Sequence, residues 1–133
     1  MLRAVADTPT IIWYLYDDPR LSATARATFE EVTTSGDQIG GSSITLAEIL
    51  YLIEKGRMHS ETLGRLFTAL DQPGSVLLEL SFDRVIVAAM ASVERDRIPD
   101  LPDRIIAATA HHHQVPIISR DRQITLSGLP VIW

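Results

Sequence analysis

VPIISRDRQI, residues 115–124, is the stretch on which the fold turns. Val115, Ile117 and Ile118 form an apolar run of the kind that becomes a buried strand. Ser119, Arg120 and Asp121 follow with no loop between. A strand that ends directly on a carboxylate flanked by arginines aims that carboxylate somewhere. In open α/β sheets, ligands bind beyond the carboxyl ends of the strands.

Working outward, the same arrangement recurs. LRAVAD is a short apolar run ending at Asp7, followed by PTIIWYLYDD, a segment of helical length with Pro9 in its first turn. Residues 22–35 open on the N-cap residue Ser22 and stop at Gly36, with Ala25, Phe29 and Val32 on one face. QIGGSSI is a weak strand, and TLAEILYLIEK after it is a strong helix closing at Gly56. SETLGRLFTALD aligns Leu63, Leu66, Phe67 and Leu70 on a further helix. SVLLEL is a strand, FDRVIVAAMASVER a helix capped by Asp83, and PDLPDRIIAATAHHH an alanine-rich helix led by prolines. VPIIS and LPVIW are the last strands. Strands alternating with helices, without repeats or long linkers, predict one α/β domain over residues 1–133 with a mostly parallel central sheet flanked by helices.

Composition narrows the function. With 46% hydrophobic residues the chain can bury a core without staples. It has no cysteine, which excludes a disulfide framework and a thiolate zinc site and fits a reducing cytoplasm. No apolar run approaches the roughly 18 residues of a membrane span, and Asp7 interrupts the N-terminal segment too early for a signal peptide. The net charge is −5, unlike the basic balance of most nucleic-acid binders. Yet eleven of the twelve basic residues are arginine, the better fork for phosphate, and Lys55 is the only lysine.

Four acids fall at the same edge of such a sheet. Asp7 and Asp121 directly terminate strands, while Glu48 and Asp103 sit in first turns of helices. Caps are the plain alternative. Thr45-Leu46-Ala47-Glu48 makes a capping box in which Glu48 reaches back to the Thr45 amide, and Asp100-Leu101-Pro102-Asp103 is a variant of it. Asp7 and Asp121 suit a capping role less well. Clustered carboxylates repel unless a cation sits among them, and oxygen-only ligands suit Mg2+ or Mn2+.

The motifs that carry these acids resemble those of PIN-domain ribonucleases, and within them the VapC-type toxins of bacterial toxin–antitoxin pairs. ADTPTIIWYLYDDPRLS is similar to the opening Asp-Thr segment, SSITLAEI to the segment holding the glutamate, DLPDRIIAATA to the Asp-Arg motif with its Ala-Ala-Thr-Ala helix, and VPIISRDRQI to the strand leading to the last aspartate. LPVIW resembles the terminal strand. The matches run in order over nearly the whole chain, with Pro9 standing where related toxins often carry a polar residue.

The resemblance implies a PIN fold and Mg2+-dependent (or Mn2+-dependent) hydrolysis of RNA. It implies catalytic residues Asp7, Glu48, Asp103 and Asp121, with Asp7, Asp103 and Asp121 as metal ligands. Thr8 and Ser119 match hydroxyl positions, and Arg104, Arg120 and Arg122 are candidate substrate contacts. It further implies a homodimer silenced by a cognate VapB-like antitoxin whose basic tail crosses the cleft. Extra apolar surface on helices 9–16, 46–55 and 60–70, including Trp13, Tyr14, Tyr16, Tyr51, Leu52 and Phe67, suits such partners. A catalytically silent binding module, or a DNA or structure-specific nuclease of the same fold, are the competing readings.

Other motifs carry less. Consecutive helical residues point about 100° apart, so His111, His112 and His113 cannot converge on one ion. Trp13 and Tyr14 sit in helical apolar patterning and are read as core or interface. There is no Gly-x-x-x-x-Gly-Lys loop and no Gly-x-Ser-x-Gly elbow.

Overall fold

A computed structural model describes residues 1–133. Five strands form one sheet in the order β3-β2-β1-β4-β5: β1 Leu2–Ala6, β2 Gln38–Ser42, β3 Leu77–Leu80, β4 Ile117–Ile118 and β5 Val131–Ile132. Every pairing is parallel, so the expected mostly parallel sheet is wholly so. Seven helices flank it: α1 Thr8–Leu15, α2 Ala23–Ser35, α3 Ser43–Glu54, α4 Thr62–Asp71, α5 Arg84–Met90, α6 Leu101–His113 and α7 Arg122–Leu126. No helix is long and apolar enough to cross a membrane.

Strand alternation builds two cores. Ala4, Ala6 and Ile118 face one way and join Ile11, Phe29, Val32, Ile49 and Leu66. Val5 and Ile117 face the other way and join Ile86, Ile98, Ile105, Ile106 and Ile124. A period of two along each strand, with both faces covered, is what a parallel sheet demands. The glycines that make QIGGSSI look weak as a strand have a packing reason. A Cβ at Gly40 would collide with Leu80 and one at Gly41 with Ile11, so bare backbone lets those side chains close over β2.

Several boundaries differ from the sequence reading. The helix after Asp83 ends at Met90 instead of continuing to Arg95. Arg104 accounts for the stop: its Nη2 donates to the Met90 carbonyl and its Nε to the Val93 carbonyl, both at 2.9 Å. Carbonyls left over at a helix end need such donors. The short helix α7 is absent from the sequence reading, since five residues carry too little periodicity to register. The last two strands pair over two residues each, shorter than VPIIS and LPVIW.

The strand order fixes where a ligand can enter. From β1 the chain steps outward to β2 and β3, then returns to the other side of β1 for β4 and β5. The reversal lies between β1 and β4, and the crevice at a topological switch point is the favoured binding place of an open α/β sheet. Asp7 is the residue after β1, and Ser119 the residue after β4.

Candidate active site

A cleft of about 820 Å³ opens at this switch point. It brings together Asp7, Glu48, Asp103 and Asp121 with Thr8 and Arg120. The four acids come from four different elements of the fold.

Asp7 is the most buried, at 3% exposure. Its Oδ1 accepts the Thr10 amide at 3.0 Å, and its Oδ2 accepts the Ser119 hydroxyl at 2.5 Å. Ser119, fully buried, in turn accepts the Asp121 amide at 2.9 Å. One hydroxyl thus ties the ends of β1 and β4 together. Thr10 adds a second tie by donating to the Ile118 carbonyl at 3.0 Å. Burial raises the Asp7 pKa; the Ser119 and Thr10 hydrogen bonds oppose it, and Asp121 adds to it.

The capping roles fall otherwise than the sequence suggests. Asp7 is the N-cap of α1, and Asp121 is the N-cap of α7, accepting the Ile124 amide at 3.0 Å. Both were the acids that suited a cap less well. The capping box at Thr45 is absent, because the N-cap of α3 lies three residues earlier, at Ser42, whose hydroxyl accepts the Ile44 amide. Thr45 lies inside the first turn, and Glu48 is free of cap duty. Glu48 Oε1 instead accepts the Thr8 hydroxyl at 2.6 Å, and Thr8 Oγ1 lies 2.9 Å from Thr45 Oγ1. With the Thr8 proton given to Glu48, Thr45 donates to Thr8. Burial raises the Glu48 pKa, against the Thr8 hydrogen bond and with help from Asp100 and Asp7.

Asp103 carries the largest electrostatic load. Its backbone amide donates to Asp100 Oδ2 at 3.0 Å, so the capping pattern of DLPD is present with Asp100 as the cap. No protein donor reaches the Asp103 carboxylate. Burial, followed by the charges of Asp100, Asp121, Asp7 and Glu48, pushes its pKa up to about 7. Asp100 itself lines the cleft, although the sequence reading treated it only as a cap position, and so does Asp18, which pairs with Arg20.

The donor set fits a divalent cation in its chemistry. Its groups are all oxygens, half-buried and mutually repelling, and Asp103 has no neutralising partner; that chemistry suits a hard cation. As the side chains stand, no three of them converge on one ion position. Asp7, Asp103 and Asp121 are the residues that would hold it, with rotamer adjustment at the half-buried pair.

The arginines divide. Arg120 lines the cleft, with its guanidinium 4.8 Å from the Trp13 ring centroid. Arg122 is the exposed first residue of α7 and does not line the cleft. Arg104 is a correction: it follows Asp103 in sequence, but the helix points it about 100° away, to the carbonyls after α5. Three basic cleft residues escaped the sequence reading: Arg20, Arg57 and His59, all in connections after helices. Loop residues have no periodicity to betray their direction. His111, His112 and His113 form the last turn of α6, about 12–15 Å along the helix from Asp103. Trp13 is 8% exposed and packs in the core beneath Arg20 and Arg120, and Tyr14 stacks on Phe29 at 4.1 Å between centroids.

Similarity to known proteins follows the geometry. Among solved structures the chain is similar to VapBC2 from Rickettsia felis bound to a promoter DNA fragment, with TM-score 0.72 and 17% identity over 98% of this chain and 97% of that one. It is similar to DNA-bound VapBC from Salmonella typhimurium, with TM-score 0.69 and 24% identity over 98% and 97%. A toxin–antitoxin complex from Klebsiella pneumoniae gives TM-score 0.67 and 23% identity over 98% and 96%. No curated protein matches the sequence. The PIN domain family model matches residues 4–126. PIN domains are generally nucleases that use a divalent metal. An acidic cleft at the switch point of a five-stranded parallel sheet, and a family match over nearly the whole sequence, place this chain in the PIN domain family.

Proposed function

We propose that the protein is a Mg2+-dependent endoribonuclease, the toxin of a type II toxin–antitoxin pair acting in the cytoplasm. The observation that carries this reading is the gathering of Asp7, Glu48, Asp103 and Asp121 from four separate elements into one cleft. Its likeness in fold to toxin–antitoxin complexes supports the toxin assignment.

Asp7, Asp103 and Asp121 are assigned to the metal. When bound, Mg2+ (or Mn2+) supplies Lewis-acid polarisation of the phosphoryl oxygen and a lowered pKa for the attacking water. The chain's residues do the rest. Ser119 and Thr10 fix both oxygens of Asp7, so that the most buried ligand does not need to reorganise. Glu48 holds the attacking water with Oε2 while Thr8 and Thr45 lock Oε1. A carboxylate with a raised pKa is the better base for taking a proton from that water. Arg120 holds a backbone phosphate.

The partner follows from charge and exposed apolar surface. Leu50, Tyr51 and Phe67 remain exposed on α3 and α4, although Trp13 belongs to the core. We assign this face to a homodimer and the acidic cleft to the basic tail of a VapB-like antitoxin. The test is cleavage of an RNA panel with and without chelator, by wild type and by Asp7→Asn. Wild type should cut only with the divalent ion, and Asp7→Asn should not cut while keeping its fold by circular dichroism. Cleavage of DNA alone would favour the DNA-nuclease reading. Absence of cleavage together with absence of metal binding would favour the silent binding module.

A further inference from the structure

The cleft that gathers the acids is also lined by Arg20, Arg57, His59 and Arg120. On one bank stands Arg120, which follows β4. Its guanidinium lies over Trp13 and enters no ion pair. A guanidinium held by its face over a ring keeps its in-plane N–H donors free for an incoming oxyanion. Arg20 covers the same ring at 5.2 Å, but Asp18 takes its Nε and Nη2.

On the other bank stand Arg57 and His59, in the connection after α3. They reach the cleft from beyond the C-terminal end of α3, whereas Arg120 reaches it from the end of β4, and β2 and β4 flank β1 on opposite sides. Arg57 is held in place by its backbone. Gly56, at φ +71°, donates its amide to the Ile53 carbonyl at 3.0 Å, and the Arg57 amide donates to the Leu52 carbonyl at 2.9 Å. This pair of bonds around a left-handed glycine is a Schellman motif, and it directs the chain after α3. Neither Arg57 nor His59 enters an ion pair. Helix α1 touches both groups of connections: Trp13 packs under Arg120, while the Tyr16 hydroxyl lies 2.9 Å from Thr62 Oγ1 at the start of α4, just after His59.

Arg57 and Arg120 line the same cleft as the acids without a carboxylate partner, so their donors are available to phosphates next to one held over the acids. Asp7 lies at the bottom, 3% exposed. A backbone must bend inward to present a phosphate there, which a flexible single strand does more easily than a stiff duplex.

Resting on the nuclease reading above, we infer that the cleft grips single-stranded RNA at two points, Arg57 with His59 on one bank and Arg120 on the other, so that phosphates on both sides of the scissile bond are held. Trp13 is a positioning residue that acts through Arg120. Ile12, Leu52 and Met58 supply apolar lining to the same cleft.

The experiment measures binding of a labelled single-stranded RNA of about 10 nucleotides by fluorescence anisotropy, in an Asp7→Asn background so that the RNA survives. Arg57→Gln with His59→Gln, and separately Arg120→Gln, should each weaken binding about 5- to 10-fold. Each lost phosphate contact should flatten the slope of log K against log salt by about 0.7. With Asp7 restored, the loss should appear in KM more than in kcat. Arg84→Gln, on the exposed start of α5, should change none of these. Wild-type affinity and salt slope in the Arg57→Gln, His59→Gln protein, in an enzyme that still cuts RNA, would overturn the two-sided grip and leave the nuclease reading standing. Duplex RNA bound as tightly as single-stranded RNA would also overturn it. A wild-type protein that neither binds nor cuts RNA would sink the grip and the nuclease reading together.

Discussion

Ser119 Oγ donates to Asp7 Oδ2 at 2.5 Å, across 112 positions of sequence. Both groups are buried, and the same hydroxyl accepts the Asp121 amide. Ser119 therefore sets the relative position of two of the acids assigned to the metal, although it carries no charge.

Replacing it tests that role. Ser119→Ala leaves a buried carboxylate oxygen without its donor and the Asp121 amide without its acceptor. The expected loss of stability is about 1–3 kcal/mol by urea denaturation. Cleavage should fall at least tenfold, and more divalent ion should be needed for half-maximal rate. Unchanged metal dependence would mean that Ser119 is only a packing residue.

Glu48 is the next test. Its Oε1 accepts from Thr8, and glutamine also offers an oxygen there, so Glu48→Gln should keep the melting temperature close to wild type. Turnover should drop by about 10²-fold or more, the usual contribution of a positioned general base. A Gln variant with full turnover would return Glu48 to a purely structural part.

Stability of the metal-free protein should depend on pH with a definite sign. The Asp103 carboxyl has a folded pKa of about 7 against an ordinary value of 3.8. The folded state thus binds that proton more tightly than the unfolded chain. Stability is highest while the group is protonated in both states and declines as pH climbs from about 3.8 through about 7. Asp7 and Glu48, also raised, act in the same direction. In chelator, Tm should fall between pH 5 and pH 8, roughly the span over which such a group ionises. Asp103→Asn should reduce that fall, and added Mg2+ should raise Tm most at the alkaline end. A metal-free Tm that rises over this range would contradict the repulsion on which the metal assignment depends.

Arg104 separates a neighbour in sequence from a neighbour in space. Arg104→Gln removes the donors to the Met90 and Val93 carbonyls and should cost about 1–3 kcal/mol. Below its melting temperature, KM for RNA should stay within about twofold of wild type, the scatter expected of a residue outside the cleft. A large rise in KM would restore Arg104 to the substrate.

Strand and helix identities were legible in the sequence because period-two and period-3.6 patterns are local. LRAVAD and VPIIS announce strands, Ser22 and Gly36 bracket α2, and each acid stands at a strand end or in the first two turns of a helix. Parallel pairing with returning helices then puts those ends on one edge, so the four-acid set could be named before any coordinate was known. Three kinds of feature depended on the tertiary structure. Cap roles did, because a shift of three residues in the N-cap of α3 frees Glu48 from Thr45 and gives it to Thr8. The direction of Arg104 did, because a helix rotates adjacent side chains apart. The basic banks did, because Arg57, His59 and Arg120 lie in connections whose course is set by a glycine turn, a tryptophan ring and the strand order. Short-range patterns encode which face a residue takes on its own element. Which distant residue it meets there is decided only when the sheet closes.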